Sequence, residues 1–224
     1  MKVDLRNVTI LCIDGVEPEK GLKALKYSMK DIDFAKAKLL SHIKPENIPT
    51  SIEFVEIEKL TYESYNSFVL HNLHQYVDTE FCLIIHNDGF VINPHLWDND
   101  FLNYDYIGAP WKPIEYFRIN RVGNGGFSLR SKKLMDLCKY MDSHGHEDIT
   151  ISLRYKSALE QHGCKFAPVE VAMKFSLESR IPECDFDLNN SFGFHGKGDP
   201  KSIEVHDGFY QQFQDKLKIL EQMR

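Results

Sequence analysis

Three polar residues, His86, Asn87 and Asp88, directly follow an apolar run over residues 81–85. A short apolar run that ends in polar residues and Gly89 predicts a buried strand of a parallel sheet. Open α/β sheets bind ligands at the carboxyl ends of their strands. A carboxylate and an imidazole at that edge can hold Mg²⁺ or Mn²⁺, which in turn binds phosphate oxygens. A plain turn begun by Asp88 and Gly89 is the alternative.

A glycine-rich segment, Gly-Asn-Gly-Gly-Phe, occupies residues 123–127. Asn-Gly is a strong signal for a tight hairpin, which is one interpretation. Glycines also let backbone N–H groups approach a ligand closely, and the two interpretations are compatible.

Two adjacent acids, Glu147 and Asp148, follow His146 at the start of a predicted helix. Acids in a first turn favour the helix dipole and cap free N–H groups, so a structural role explains them. A general base at the mouth of a cleft is the functional interpretation. His195, in Phe-Gly-Phe-His-Gly, is either a metal ligand on a loop or a structural histidine.

Composition excludes several classes of protein. The net charge of -6 argues against a general nucleic-acid binder. The first residues contain no long apolar segment of a secretory signal, and no stretch approaches the roughly 20 apolar residues of a membrane span. Five scattered cysteines without paired spacing indicate reduced thiols rather than disulfides or a zinc site. We therefore expect a cytoplasmic protein without a transmembrane segment.

The elements that must position these residues alternate between strand and helix in the first half of the chain. Such alternation predicts an α/β fold with a mostly parallel central sheet flanked by helices. The predicted strands cover residues 8–13, 35–40, 52–57 and 81–85, with helices over 18–30 and 61–77. In the second half we expect helices over 132–141, 147–161 and 204–223, a strand over 166–175, and irregular structure over 93–111 and 182–200.

In this order, the motifs resemble those of a family of bacterial and viral glycosyltransferases with the GT-A fold. The resemblance covers nearly the whole chain. Its motifs are Asp-Gly-Phe at 88–90, Asn-Pro-His-Leu-Trp at 93–97, Asp-Tyr-Ile-Gly-Ala-Pro-Trp at 105–111, Gly-Asn-Gly-Gly-Phe-Ser-Leu-Arg at 123–130, Glu-Asp at 147–148 and Phe-Gly-Phe-His-Gly at 192–196.

The resemblance implies one GT-A-like (Rossmann-like) domain over residues 1–224. Its nucleotide-binding half would cover about 1–92, its acceptor and catalytic half about 93–203, and a C-terminal helix 204–224. The implied reaction moves a sugar from a nucleoside diphosphate sugar, expected to be a UDP-sugar, to a glycan or glycolipid acceptor in polysaccharide biosynthesis. The implied cofactor is Mn²⁺ or Mg²⁺, and no nucleic acid is expected as a partner.

The resemblance also implies roles for individual residues. Asp14, at the end of the first strand, would lie near the nucleobase. Asp88 and His195 would hold the metal on the diphosphate, within a strand end His86-Asn87-Asp88 in which His86 replaces the family's first carboxylate. The implied donor and acceptor contacts are Asn124, Gly125, Gly126 and Phe127, and the implied base that deprotonates the acceptor hydroxyl in an inverting reaction is Asp148 or Glu147.

Two other functions are alternatives to a glycosyltransferase. A sugar-phosphate nucleotidyltransferase would carry a glycine-rich basic loop after its first strand, whereas residues 14–18 are acidic. A catalytically silent nucleotide-sugar or glycan-binding module would suit the loss of the first metal carboxylate. The joint presence of Asp88, Glu147, Asp148 and His195 argues against that module.

Overall fold

The structure is a computed structural model, and it describes residues 2–118, 120–197 and 208–223. Among these residues six strands form a central sheet in the order β3-β2-β1-β4-β6-β5. The strand β6 runs antiparallel to both of its neighbours, and the other pairings are parallel. The strands are β1 (Val3–Ile13), β2 (Ile32–Ser41), β3 (Glu53–Glu56), β4 (Phe81–Ile85), β5 (Tyr106–Ile107) and β6 (Ser128–Ser131).

Helices cover both faces of this sheet. The side chains of β1 therefore alternate between two cores, one on each face. Ile10 and Cys12 pack into the core that includes residues of the first, sixth and seventh helices, whereas Leu11 packs with residues of the second and third. The α-helices of the described residues are α1 (Pro18–Ser28), α2 (Tyr62–His71), α3 (Lys132–Cys138), α4 (Glu147–Ile149), α5 (Lys156–Gln161), α6 (Val169–Phe175) and α7 (Phe209–Gln222).

A second, two-stranded sheet lies late in the chain. The strand β7 (Ser176–Leu177) pairs in parallel with β8 (Gly193–Phe194). Its register places Leu177 beside Phe194, so the residues that follow each strand become neighbours.

The predicted α/β class with a mostly parallel sheet is confirmed. One predicted element is wrong, since residues 166–175 contain the helix α6 and not a strand. Val169, Ala172 and Phe175 recur every three residues, which places their side chains on one helical face, and Ala172 and Phe175 are buried. Only Phe166 makes a strand-like bridge, to Tyr106.

Other boundaries differ in detail. The helix predicted over 61–77 ends at His71 and continues as a 3₁₀ turn at Leu73–Tyr76. The helix predicted over 147–161 is divided between α4 and α5 by the π-helical turn Thr150–Arg154. Residues 198–200 of the irregular stretch and 204–207 of the last helix lie outside the described residues. Within the described part of the chain, no helix is long and apolar enough to span a bilayer.

Candidate functional site

The polar residues that follow β1 and β4 meet at one edge of the sheet. The two strands are parallel neighbours, with Cys12 paired to Ile85, so Asp14 and Asn87 follow them at the same level. The Asn87 side-chain amide donates a 2.9 Å hydrogen bond to Oδ2 of Asp14. The other oxygen of Asp14 accepts the backbone N–H groups of Val16 and Glu17 at 3.0 and 2.7 Å. Asp14 therefore holds the turn into α1 as well as the strand end.

A cavity of about 380 Å³ opens at this edge. Its polar lining comes from the two strand ends, including Asp14, Asn87 and Asp88. Leu60, Tyr62, Tyr65 and Lys197 also line it. A pocket of this size falls within the range of small-molecule sites.

Three side chains at the cavity form a cluster with the donor types of a metal site. His86, Asp88 and His195 are each half-buried, and one ligand atom of each lies within 4.8 Å of the others. Nε2 of His195 is 3.6 Å from Oδ1 of Asp88. A backbone hydrogen bond holds the loop after β8 at this cluster, since the N–H of Gly196 donates to the carbonyl of Asp88 at 2.7 Å. The structure thus joins the two predicted ligands, Asp88 and His195, with His86.

Each histidine of the cluster has a second polar contact. Nε2 of His86 lies 2.7 Å from the hydroxyl of Tyr65, and Nδ1 of His195 lies 3.0 Å from Oε1 of Glu178. Glu178 follows β7 as His195 follows β8, so the parallel register brings them together. A carboxylate at Nδ1 favours the tautomer whose proton is on Nδ1, which leaves the Nε2 lone pair directed to the cluster. The amide nitrogen of Asn124 also lies 3.1 Å from Nδ1 of His195.

The two histidines differ in proton affinity. Burial lowers the pKa of His86 to about 4, and the neighbouring His195 charge acts in the same direction. Burial also acts to lower the pKa of His195, but the hydrogen bond and charge of Glu178, with Asp88, outweigh it and raise that pKa above the ordinary value. A neutral His86 is ready to bind a cation, whereas a cation at His195 would have to displace the proton that its raised pKa retains. Two imidazoles beside one carboxylate favour a transition-metal ion over Mg²⁺.

The glycine-rich segment, residues 123–127, lies close to this cluster because its glycines have no side chains. Asn124 has a positive φ of 64°, and its side-chain oxygen accepts the N–H groups of Gly126 and Phe127. A Cβ on Gly126 would lie 2.0 Å from Nε2 of His195, and one on Gly125 would lie 1.7 Å from Oε1 of Glu147. The whole Phe127 residue is buried in the core, and its backbone N–H is already bonded to Asn124.

The structure separates the two acids at the start of α4. Glu147 is buried and forms an ion pair with Arg130, with two N–O distances of 2.9 Å. Burial raises the pKa of Glu147, against the opposing charge of Arg130. Asp148 is half-buried, and its Oδ2 accepts the N–H of Gly125 at 3.2 Å. Asp148 is thus the acid of the pair that faces open space.

Asp148 lines a second cavity, also of about 380 Å³. The other lining residues are His146, Ile149 and the aromatic residues Trp111, Tyr116 and Phe117. The hydroxyl of Tyr62, which lines the first cavity, is 2.6 Å from Nδ1 of His146. The two cavities therefore adjoin at the Tyr62–His146 contact.

Residues 49–195 match the family model described as protein of unknown function DUF5672. The chain belongs to this family. No curated protein has a significantly similar sequence.

Solved structures show which fold this DUF5672 protein shares. One is the galactosyltransferase LgtC in complex with donor and acceptor sugar analogues, with a TM-score of 0.52, 13% identity, and coverage of 96% of this chain and 97% of that chain. Another is a glycosyltransferase involved in the glycosylation of the major capsid of PBCV-1, with a TM-score of 0.51, 13% identity, and coverage of 96% of this chain and 99% of that chain. The GT-A-type fold expected from the sequence is confirmed by these likenesses.

Sequence reasoning missed several residues of the site in this DUF5672 protein. Tyr65 lies within the helix predicted over 61–77 and had no predicted role in the site, and Glu178 carried no recognisable signal. Arg130 belongs to a motif named above, yet its pairing with Glu147 depends on the fold. The predicted residues that do converge on the first cavity and its cluster are Asp14, His86, Asn87, Asp88, Asn124, Gly126 and His195.

Proposed function

We propose that this protein is a glycosyltransferase that moves a sugar from a nucleoside diphosphate sugar to a hydroxyl group of a glycan or glycolipid. The single observation that carries the proposal is the cluster of His86, Asp88 and His195 beside a cavity at the carboxyl edge of the sheet. The fold shared with two glycosyltransferases supports it. The expected donor is a UDP-sugar, and Mn²⁺ is the favoured ion.

The donor would occupy the first cavity. Its polar side, with the Asp14–Asn87 hydrogen bond, offers carboxylate and amide groups to a nucleobase or ribose. Tyr62 and Tyr65 offer the apolar faces against which a planar base packs. The ammonium group of Lys197, which also lines the cavity, carries the charge that suits a diphosphate.

The charge on the leaving group determines what the cluster would have to stabilise. As the bond between the anomeric carbon and the phosphate oxygen breaks, the departing diphosphate gains negative charge. His86, Asp88 and His195 would hold a divalent ion, which supplies electrostatic stabilisation of that charge. Glu178 would keep His195 oriented through its Nδ1 contact.

Asp148 would act as the general base. The acceptor oxygen forms a bond to the anomeric carbon as the phosphate oxygen departs, and its proton passes to the Asp148 carboxylate. Displacement of this kind inverts the anomeric centre. We assign the role to Asp148 and not Glu147, because Glu147 is already paired with Arg130 in the protein interior. A half-buried acid that lines an open cavity can reach an acceptor.

One departure from the resembling family favours a second function. His86 replaces a metal carboxylate, which weakens the charge of the site and would suit a silent nucleotide-sugar-binding module. Binding without turnover distinguishes that function from the enzyme.

The test is calorimetric titration of UDP with and without Mn²⁺, followed by a donor hydrolysis assay. We expect UDP to bind more tightly with Mn²⁺, and Asp88→Asn to remove the metal-dependent part of the affinity. Asp136→Asn is the matched control, since it removes one carboxylate from α3, outside the two cavities. Equal metal dependence in Asp88→Asn and the control would overturn the metal assignment. UDP-sugar binding without any hydrolysis or transfer would favour the silent module.

A further inference from the structure

The second cavity has an aromatic wall. The rings of Trp111 and Phe117 stack with centroids 4.5 Å apart at an interplanar angle of 23°, and Tyr116 meets Phe117 edge-on at 5.1 Å. The Trp111 ring rests on the backbone of Gly123, where a Cβ would lie 1.8 Å from the ring. Its backbone N–H also donates to the carbonyl of Arg121 at 2.6 Å. Packing and hydrogen bonding therefore hold Trp111 in this wall.

The same cavity also has polar lining residues. Asp148 and His146 line it together with the aromatic residues, and the hydroxyl of Tyr62 lies at hydrogen-bond distance from His146. Tyr116 keeps 61% of its surface exposed, so an aromatic face remains available to a ligand. The cavity is thus amphipathic, since aromatic rings line it together with a carboxylate and an imidazole.

Two consecutive glycines connect this cavity to the metal cluster. The N–H of Gly125 donates to Asp148, and Gly126 packs directly against the imidazole of His195. A hydroxyl group bound at Asp148 would therefore lie close to the place where the cluster would hold a donor diphosphate.

We propose that the second cavity binds a pyranose ring of the acceptor, so that the acceptor of this protein is a saccharide. A pyranose presents C–H groups on its flat faces and hydroxyl groups around its edge. The C–H face would pack against Tyr116 and Phe117, and the edge hydroxyls would meet Asp148 and His146. The inference rests on the proposed glycosyltransferase function for the identity of the hydroxyl, but the binding site itself does not require turnover.

Peptides and lipids fit the lining less well. An acyl chain offers no ring of hydroxyls to Asp148 and His146, and a serine or threonine side chain offers one hydroxyl and no flat face for the aromatic wall. Both classes serve as alternative outcomes of the test.

The test uses Trp111 as a reporter of its own cavity. The chain contains two tryptophans, and the other, Trp97, packs against Phe101 and Phe192 outside the cavity. Trp97→Phe therefore leaves Trp111 as the only tryptophan. Its fluorescence would be titrated with methyl pyranosides and disaccharides of the gluco, galacto and manno series, in the presence and absence of UDP and Mn²⁺.

We expect at least one saccharide to change the Trp111 fluorescence in a saturable way. Tyr116→Ala and Phe117→Ala, made in the Trp97→Phe protein, should each weaken that binding by about tenfold, the order expected for one aromatic contact. Tyr140→Ala is the control, because Tyr140 is a tyrosine with 78% exposure that does not line the cavity. Circular dichroism would verify that each variant is folded.

Saccharide binding that is unchanged in both aromatic variants would overturn the proposal, as would the absence of any saturable response. A serine- or threonine-containing peptide, or a long-chain alcohol, that accepts the sugar while no saccharide does would also overturn it. UDP binding and donor hydrolysis in the same variants test the enzyme separately. If the parent protein binds a saccharide but neither binds UDP nor hydrolyses the donor, the glycosyltransferase proposal is contradicted and the saccharide site is not.

Discussion

Arg130 and Glu147 form a buried, doubly connected ion pair between β6 and the start of α4. The two N–O distances are 2.9 Å, and the side chains are 2% and 4% exposed. The Arg130 guanidinium lies 5.2 Å from the centroid of the Tyr106 ring, and its Nε donates to the hydroxyl of Ser128. Because Glu147 directly precedes Asp148, the pair fixes the position from which Asp148 enters the second cavity.

Breaking this pair should destabilise the fold. Glu147→Leu and Arg130→Met should each lower the free energy of unfolding by about 3–5 kcal/mol, because each leaves one buried charge without its partner. The double variant Arg130→Met/Glu147→Leu should recover a large part of that loss, since it leaves no buried charge. Urea denaturation followed by circular dichroism measures the three values. Additive losses in the double variant would contradict a direct coupling.

The sequence predicted the strand ends better than the contacts between distant segments. A buried strand followed by His86, Asn87 and Asp88 has a local pattern, and the parallel sheet then places those residues at the ligand-binding edge. The local sequence does not indicate whether Glu147 or Asp148 faces the ligand. Adjacent residues at a helix start point in different directions, and nothing near them shows which direction is the interior. The fold decides it through Arg130, which lies 17 positions earlier in the chain.

Two other features could not be predicted from the sequence, for physical reasons. Glu178 becomes a neighbour of His195 only through the register of β7 and β8, and strands of two residues are too short to show periodicity. The helix α6 has seven residues, and its apolar positions overlap with those of a short strand, so tertiary packing decided its conformation.

Gly126 should be intolerant of a side chain. Gly126→Ala would place a methyl group 2.0 Å from Nε2 of His195, which must move away from the cluster. We expect the affinity for Mn²⁺ alone to fall by about 10–100-fold, the range typical of disturbed ligand orientation. Electron paramagnetic resonance of free Mn²⁺ measures that affinity without a nucleotide. Gly15→Ala is the matched control, because its methyl group would meet no atom closer than 3.7 Å. Equal affinities in the two variants would argue against His195 as a ligand.

Glu178 should act as a positioning residue for His195. Glu178→Gln keeps the size of the side chain but removes the charge that holds the proton on Nδ1. Metal affinity should fall by about 10–100-fold, whereas UDP binding measured without metal should be unchanged. Glu170→Gln provides the control, since it removes the same charge from the exposed first turn of α6. A loss of metal affinity in both variants would indicate a general effect of net charge.

Asp148→Asn should slow transfer without weakening donor binding. The amide keeps the shape of the side chain but cannot take the acceptor proton, so kcat should fall by about 10²–10⁴-fold. The calorimetric affinity for UDP and Mn²⁺ should remain, because Asp148 lines the second cavity and not the first. Asp136→Asn again controls for the loss of one acid outside the cavities. Nuclear magnetic resonance of the first product should show an inverted anomeric centre in the parent enzyme. Normal turnover of Asp148→Asn with a verified acceptor, or a product of retained configuration, would contradict the inverting mechanism. A base elsewhere or a retaining reaction at the same metal cluster would then have to replace it.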